Sequence, residues 1–147
     1  MRVGVTGTRE GANDRQLKQV TEYLMSLGSG HELHHGDCRG VDVEVAAIAR
    51  HLGWRIVCHP PRLTEQQGFF GGDEIREVRN YLARDRQIVL DTELLIVVPL
   101  QDEWQSRGGT WYTCSYAKKR KSPYIIFYPN GKIETGNLPK PVDAEMG

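Results

Sequence analysis

Apolar residues along the chain fall into short runs and helical stripes that alternate from Val3 to Tyr128. Arg2-Val-Gly-Val-Thr6 has the length and composition of a buried strand, and Gly7-Thr-Arg-Glu10 interrupts it. From Asp14 to Leu27, residues Leu17, Val20, Leu24 and Leu27 recur at three- and four-residue spacing, which places them on one face of a predicted helix. A short strand over Glu32–His34 runs into Gly36-Asp-Cys-Arg-Gly40. Val41, Val45, Ile48, Ala49 and Leu52 then form a second helical stripe, which Gly53 closes as a carboxyl-terminal cap. Arg55–Cys58 is a third strand, stopped by His59-Pro60-Pro61.

The stretch from Pro60 to Arg79 has no clean period and contains Gly68, Gly71 and Gly72, so it is expected as a long loop with at most a helical turn. A helix over Tyr81–Leu90 leads to Glu93-Leu-Leu-Ile-Val-Val-Pro99, the most apolar strand and the one expected at the centre of the sheet. Gln101–Gly109 is polar loop, Thr110–Lys121 a helix and Tyr124–Tyr128 a last strand before the Asn130-Gly131 turn. Five strands alternating with four helices predict an α/β fold, a Rossmann-like parallel sheet with helices on both faces. With 147 residues there is room for one domain, expected over 1–129, followed by a loosely ordered tail over 130–147.

Composition narrows the function classes. Nineteen basic and nineteen acidic side chains cancel, so no global field draws the chain onto nucleic acid. The Lys118-Lys-Arg-Lys121 run sits at a helix carboxyl end, where cations offset the dipole. Three cysteines, Cys38, Cys58 and Cys114, are an odd number with no paired spacing, which argues against both a disulfide framework and a four-ligand zinc site and for a reducing, cytoplasmic setting. The Val3–Val5 run is too short for a signal peptide or a membrane span, so no membrane association is expected. His34, His35 and His59 sit at strand ends, but adjacent histidines on a strand point to opposite faces and cannot easily share one ion, so no metal is expected, and no cofactor.

Candidate chemistry sits in the loops. In open α/β sheets ligands bind beyond the carboxyl ends of the strands, where strand order reverses. Three strand-to-helix loops here carry glycine: Gly7-Thr8-Arg9, Gly36-Asp-Cys-Arg-Gly-Val-Asp42 and Arg107-Gly-Gly-Thr110. Glycine lets a backbone approach a ligand, and the amides at each helix start favour an anion such as phosphate. Taken singly, each such glycine reads better as the mark of a tight turn; converging on one edge, they predict a phosphate site. Thr8, Thr110 and Thr113 add hydroxyls, and Arg9, Arg39, Arg84 and Arg107 add forked donors. Neither a Walker lysine loop nor a Gly-x-Gly-x-x-Gly fingerprint is present.

Gly36-Asp-Cys-Arg-Gly40-Val-Asp42 before an alanine-rich helix resembles the Gly-Gly-x-Arg-Gly-x-Asp loop of the YspA-like branch of the SLOG superfamily, which also includes DprA and the Lonely Guy phosphoribohydrolases. Arg84 stands at the spacing of the Lonely Guy motif arginine, and Gly108-Gly109-Thr110 resembles the second half of its Pro-Gly-Gly-x-Gly-Thr-x-x-Glu signature. The resemblance covers Met1 to about Tyr128. It implies a ligand site built from Gly7, Thr8, Arg9, Gly36, Asp37, Arg39, Gly40, Asp42, Arg84, Gly108, Gly109, Thr110 and Thr113, a homo-oligomer, and a role in prokaryotic or phage conflict systems.

One departure bears on catalysis. The signature's glutamate falls on Thr113, and a hydroxyl cannot act as the acid, base or oxocarbenium stabiliser that a carboxylate supplies. Substitute acids would come from Asp37, Asp42, Asp73 or Glu74, while Phe69, Phe70, Trp104 and Trp111 are candidates to stack on a base, worth about 1–3 kcal/mol each in nucleic-acid systems, or to fill the core. The sequence therefore favours a module that senses or sequesters a nucleotide-like ligand. The rival is an N-glycosidase or transferase acting on a nucleoside monophosphate, and DprA-like binding of single-stranded DNA is the weaker alternative.

Overall fold

Asn13 opens the first helix by a reciprocal cap: its Oδ1 accepts from the Gln16 amide at 2.8 Å while Gln16 Oε1 accepts from the Asn13 amide at 3.0 Å. In the computed structural model, which describes residues 1–138, this cap starts α1 (Asp14–Leu27) directly after β1 (Arg2–Gly7) and its loop. Gln16 is buried, and its Nε2 donates to the carbonyls of Pro99 and Phe127, both at 2.8 Å, fastening the helix start to the ends of two strands. The next elements are β2 (Glu32–His35), α2 (Val41–His51) and β3 (Arg55–Cys58). Gly53 adopts φ +82° just beyond α2, the left-handed turn that ends a helix most cheaply at glycine.

The chain continues through β4 (Glu74–Ile75), α3 (Tyr81–Asp91), β5 (Leu94–Val98), α4 (Gly109–Lys119), β6 (Tyr124–Phe127) and β7 (Ile133–Gly136). Seven strands make one sheet in the order β4-β3-β2-β1-β5-β6-β7, parallel throughout except for the antiparallel β6–β7 pair. The fold is α/β and Rossmann-like, as expected from the sequence, with two more strands than the five read there.

Both additions are edge strands, and both correct an expectation. β4 lies within the 60–79 segment expected as loop. It has only two residues and no apolar alternation to announce it. β7 lies within the segment expected as loose tail: the Asn130-Gly131 turn folds the chain back so that Ile125 pairs with Thr135 and Ile126 with Glu134. The rest of that tail, from residue 139 on, lies outside the described residues. The centre of the sheet is β1, with the all-buried β5 beside it.

β5 shows how two layers of helix share one sheet. Leu94, Ile96 and Val98 face a core with Val20, Leu24, Val45 and Ala49 of α1 and α2, while Leu95 and Val97 face a second core with Ile88, Val89, Trp111 and Cys114 of α3 and α4. The first three strands step one way from the centre, and after β4 the chain crosses to β5 on the other side of β1. Right-handed crossovers then put α3 and α4 on the opposite face from α1 and α2. The reversal leaves a crevice at the carboxyl ends of β1 and β5.

Candidate functional site

That crevice is a cleft of about 500 Å³. Its walls come from Gly7–Glu10 after β1, Gly36 and Cys38 after β2, the first turns of α3, and Leu100, Gln101 and Arg107–Trp111 around the start of α4. Among the expected ligand residues, Gly7, Thr8, Arg9, Gly36, Asp42, Arg84, Gly108, Gly109, Thr110 and Thr113 line it, whereas Asp37, Arg39 and Gly40 do not.

The three glycine loops have different reasons for their glycines. A Cβ at Gly40 would stand 2.5 Å from the Thr8 carbonyl oxygen, and one at Gly36 would stand 2.5 Å from the Arg84 guanidinium. A side chain at Gly7 would collide with Val41. These glycines let protein pack on protein. Around Gly108, which adopts φ +105°, a Cβ would meet nothing within 4 Å.

Donor inventories divide the loops in the same way. In the second loop the amides of Gly36 and Cys38 donate to Asp42 Oδ2 at 3.0 and 3.1 Å, the Arg39 amide to the Gln66 carbonyl at 2.8 Å and the Val41 amide to the Thr8 carbonyl at 3.1 Å. An internal carboxylate thus occupies the Gly36 and Cys38 amides, which corrects the expectation that they hold phosphate; the start of α2 has no side-chain cap either, but of that helix only Asp42 lines the cleft. At α4 no side chain caps the helix, and the amides of Gly109, Thr110 and Trp111 have no acceptor among the described residues. Arg9 and Arg107 are exposed on the cleft wall without a hydrogen-bond or ion-pair partner among the described residues. Positive potential therefore concentrates between the start of α4 and these two guanidinium groups.

Arg84 is placed differently from the expectation. It is 4% exposed, donates from Nε to Asp85 Oδ1 at 2.7 Å, and gives Nη1 to the carbonyls of Gly36 and His59. Burial opposes its charge, but Asp85, Cys38 and Asp42 hold its pKa above the ordinary arginine range. It is a buried strut between α3 and the β2–α2 loop. Burial raises the carboxyl pKa of both Asp42 and Asp85 despite the nearby arginine. Thr113, at the position of the expected glutamate, is buried and donates its hydroxyl to the Gly109 carbonyl at 2.8 Å.

Of the four candidate acids only Asp42 reaches the cleft. Asp37 is a latch: its Oδ1 accepts from the Phe70 amide at 2.8 Å and its Oδ2 from Gln67 Nε2 at 3.0 Å, holding the 66–71 segment against β2. Asp73 accepts from the Ile56 amide at 2.8 Å, and Glu74 pairs with Arg55 and Arg76 at the sheet edge. Arg39 reaches outward to Gln66.

Among the aromatic candidates, Phe69 projects outward, 72% exposed, and Phe70 packs between His35 and the Arg50 guanidinium. Trp104 stacks on Trp111 with centroids 5.1 Å apart and donates to Glu134. Trp111 alone borders the cleft, its indole N–H donating to Gln101 Oε1 at 3.0 Å.

Tyr81, Asp85 and Gln101 are among the lining residues not singled out from the sequence. Tyr81 carries the guanidinium carbons of Arg9 and Arg84 over its ring at 5.5 and 5.4 Å. Asp85 presents the one buried carboxylate besides Asp42 among the described cleft residues. Gln101 ties the polar loop to α4. The weak apolar stripe of α3 gave no sign of which face is buried, so the inward turn of Arg84 and Asp85 was not readable from the sequence.

No protein-family model matches the chain, and no curated protein sequence does either. Solved structures do match. The molybdenum cofactor binding protein of Rippkaea orientalis superposes with a TM-score of 0.67 at 20% identity, covering 86% of this chain and 76% of that one. The molybdenum cofactor carrier protein of Chlamydomonas reinhardtii gives 0.60 at 23% identity, covering 85% and 74%. DNA processing protein A of Helicobacter pylori, described for its single-stranded DNA binding mode, gives 0.58 at 17% identity over 86% of this chain, which spans 64% of that protein. These likenesses are of fold. No helix among the described residues is long and apolar enough to cross a membrane.

Proposed function

We propose that the chain is a SLOG-type module that captures a phosphate-bearing nucleotide or nucleotide-like small molecule in the cleft at the carboxyl edge of its sheet. The observation that carries this reading is the uncapped start of α4, whose three first-turn amides stand beside Arg9 and Arg107 in a cleft of about 500 Å³. A phosphate there meets backbone donors, a helix dipole and two guanidinium groups at once. Leu82 and Leu100, each half exposed, and the Tyr81 ring give the rim an apolar surface for the remainder of such a ligand. Molybdenum cofactor, bound by the two superposing carriers, combines a phosphate with a fused heterocycle and belongs to the same chemical class.

Holding rather than cleaving the ligand follows from Thr113, which supplies no carboxylate where the phosphoribohydrolase signature has one. A second reading, N-glycosidic cleavage, is favoured by one observation: Asp85 is buried in the cleft with its carboxyl pKa raised, as a proton donor to a leaving base requires. Incubation with a panel of nucleoside mono-, di- and triphosphates followed by chromatography distinguishes the two. Intact ligand recovered from a tight complex is expected, and release of free base refutes the binding-only reading. Single-stranded DNA remains a partner class through the DprA likeness, although the neutral net charge disfavours it; a salt-sensitive gel shift with oligonucleotide would establish it. A cytoplasmic homo-oligomer is the expected state, and light scattering that returns the mass of one chain refutes the oligomer.

A further inference from the structure

Away from the cleft, β2 carries two histidines that face opposite sides of the sheet, and each meets partners from other elements. His35 lies with Asp37 and Cys58, and His34 with His59 and Asp91. The first group is internally satisfied. His35 Nδ1 accepts from the Asp37 amide at 2.9 Å, its Nε2 is bonded to the Gly71 carbonyl at 2.7 Å, and the Asp37 carboxylate holds the 66–71 segment. No imidazole lone pair is left there for a ligand.

The second group differs. His34 on β2 pairs in register with Val57 on β3, and the two-residue period of a strand brings His59, just beyond β3, onto the same face. His34 Nδ1 and His59 Nε2 stand 2.9 Å apart with both rings buried, and one ring nitrogen of each histidine and an Asp91 carboxylate oxygen all lie within 4.8 Å of one another. Asp91 is the last residue of α3, so three separate elements contribute. Adjacency excludes a shared ion for His34 and His35, and it places no such limit on His34 with His59.

We propose that His34, His59 and Asp91 form a binding site for one zinc-like divalent transition metal ion, with Glu32 as its outer carboxylate. Glu32 Oε1 accepts from His34 Nε2 at 3.0 Å, which fixes the tautomer whose Nδ1 accepts from His59 Nε2–H at 2.9 Å; an ion would take the place of that one proton between the rings, the proton moving to His59 Nδ1. A carboxylate on the far nitrogen of a ligating histidine is the usual outer-shell arrangement at metal sites. Two nitrogens on a tetrahedral zinc stand about 3.3 Å apart, so the pair need open only by about 0.4 Å. Two imidazoles, one carboxylate and a water complete four ligands of the type zinc, nickel and copper accept.

Arg76 is the competing group. Its Nη1 donates to Asp91 Oδ2 at 3.0 Å, so it supplies the positive charge that the ion would bring. It also pairs with Glu74, and that partner can hold it when the ion takes Asp91. Gln87 donates to the other oxygen, Asp91 Oδ1, at 2.8 Å, and each carboxylate oxygen retains a second lone pair.

The test uses the full chain stripped with chelator and then titrated with Co²⁺ alone, with Zn²⁺ retention after dialysis measured in parallel. Expected results are the visible absorption of tetrahedral Co²⁺ and about one Zn²⁺ per chain, both lost in His59→Gln. Arg76→Met should bind Co²⁺ roughly 3- to 10-fold more tightly because a competing cation is gone. Arg107→Ala, in the cleft, should bind it like the unaltered chain. Absent Co²⁺ bands in the unaltered protein, equal Zn²⁺ retention by His59→Gln, or weaker binding by Arg76→Met would each overturn the site. Because the unaltered protein and Arg76→Met decide the matter, a folding defect in His59→Gln does not protect the proposal.

Discussion

Replacing Arg84 with methionine separates a strut from a ligand contact. Methionine keeps most of the length and apolar bulk but removes the charge and every donor. The Asp85 carboxylate would be left buried without its 2.7 Å partner, and the Gly36 carbonyl would lose its Nη1 donor. Breaking a buried ion pair by removing one member costs about 3–5 kcal/mol. Asp85 already has a raised pKa, so protonation relieves part of that cost and places the expected loss near the lower figure. For a domain of this size, about 3 kcal/mol corresponds to a fall of roughly 6–12 °C in Tm. Urea unfolding followed by circular dichroism measures the loss directly. The double variant Arg84→Met with Asp85→Leu should recover most of it, since an apolar pair of similar volume replaces a buried ion pair at little net cost. An Arg84→Met protein within about 1 kcal/mol of the unaltered chain, yet with nucleotide affinity reduced tenfold or more, would refute this reasoning and return Arg84 to the phosphate.

Arg9→Ala and Arg107→Ala should behave in the opposite way: each weakens binding of a nucleoside phosphate by roughly 10-fold or more, by calorimetric titration, while Arg107→Ala leaves Tm unchanged and Arg9→Ala loses at most the contact with the Tyr81 ring, about 0.5–1 kcal/mol, because neither side chain has a hydrogen-bond or ion-pair partner among the described residues. Asp37→Ala should release the 66–71 segment and cost about 2–4 kcal/mol, read as new proteolytic cleavage between residues 62 and 79 before global unfolding; unchanged protease resistance would contradict the latch. Burial lowers the His59 pKa from 6.5 to about 3, so the unfolded chain takes up that proton first. With chelator present, stability should be fully developed above pH 6.5 and fall toward pH 3 with a His59 contribution of roughly 1.4 kcal/mol per pH unit, and His59→Gln should flatten that slope.

Much of the architecture was legible because the helices carry their periodicity and caps locally. The α1 boundaries were readable from Leu17 to Leu27, and the internal strands from apolar runs such as Leu94–Val98. The edge strands were not, because a strand paired on one side and exposed on the other, such as Ile133–Gly136, has little apolar pattern to show. At the site, the glycines marked the right edge of the sheet but not their reasons. Gly36 and Gly40 resemble a phosphate loop in sequence, whereas in three dimensions they make room for Arg84 and the Thr8 carbonyl. Which amides remain open depends on where the Asp42 carboxylate turns, and that follows from tertiary packing. Asp85 and Tyr81 were missed for the same reason: their neighbours Arg84 and Arg9 come from different parts of the chain or turn inward only on folding.

The open amides at the start of α4 are the centre of the functional account, and they can be observed one by one. In a ¹⁵N-labelled sample titrated with nucleoside mono-, di- and triphosphates, the account expects saturable shifts concentrated at Arg9 and at Gly108–Trp111, with little change at the Gly36 and Cys38 amides held by Asp42. Shifts absent at millimolar ligand, or centred on Gly36–Asp42 with Gly109 and Thr110 unmoved, would contradict it.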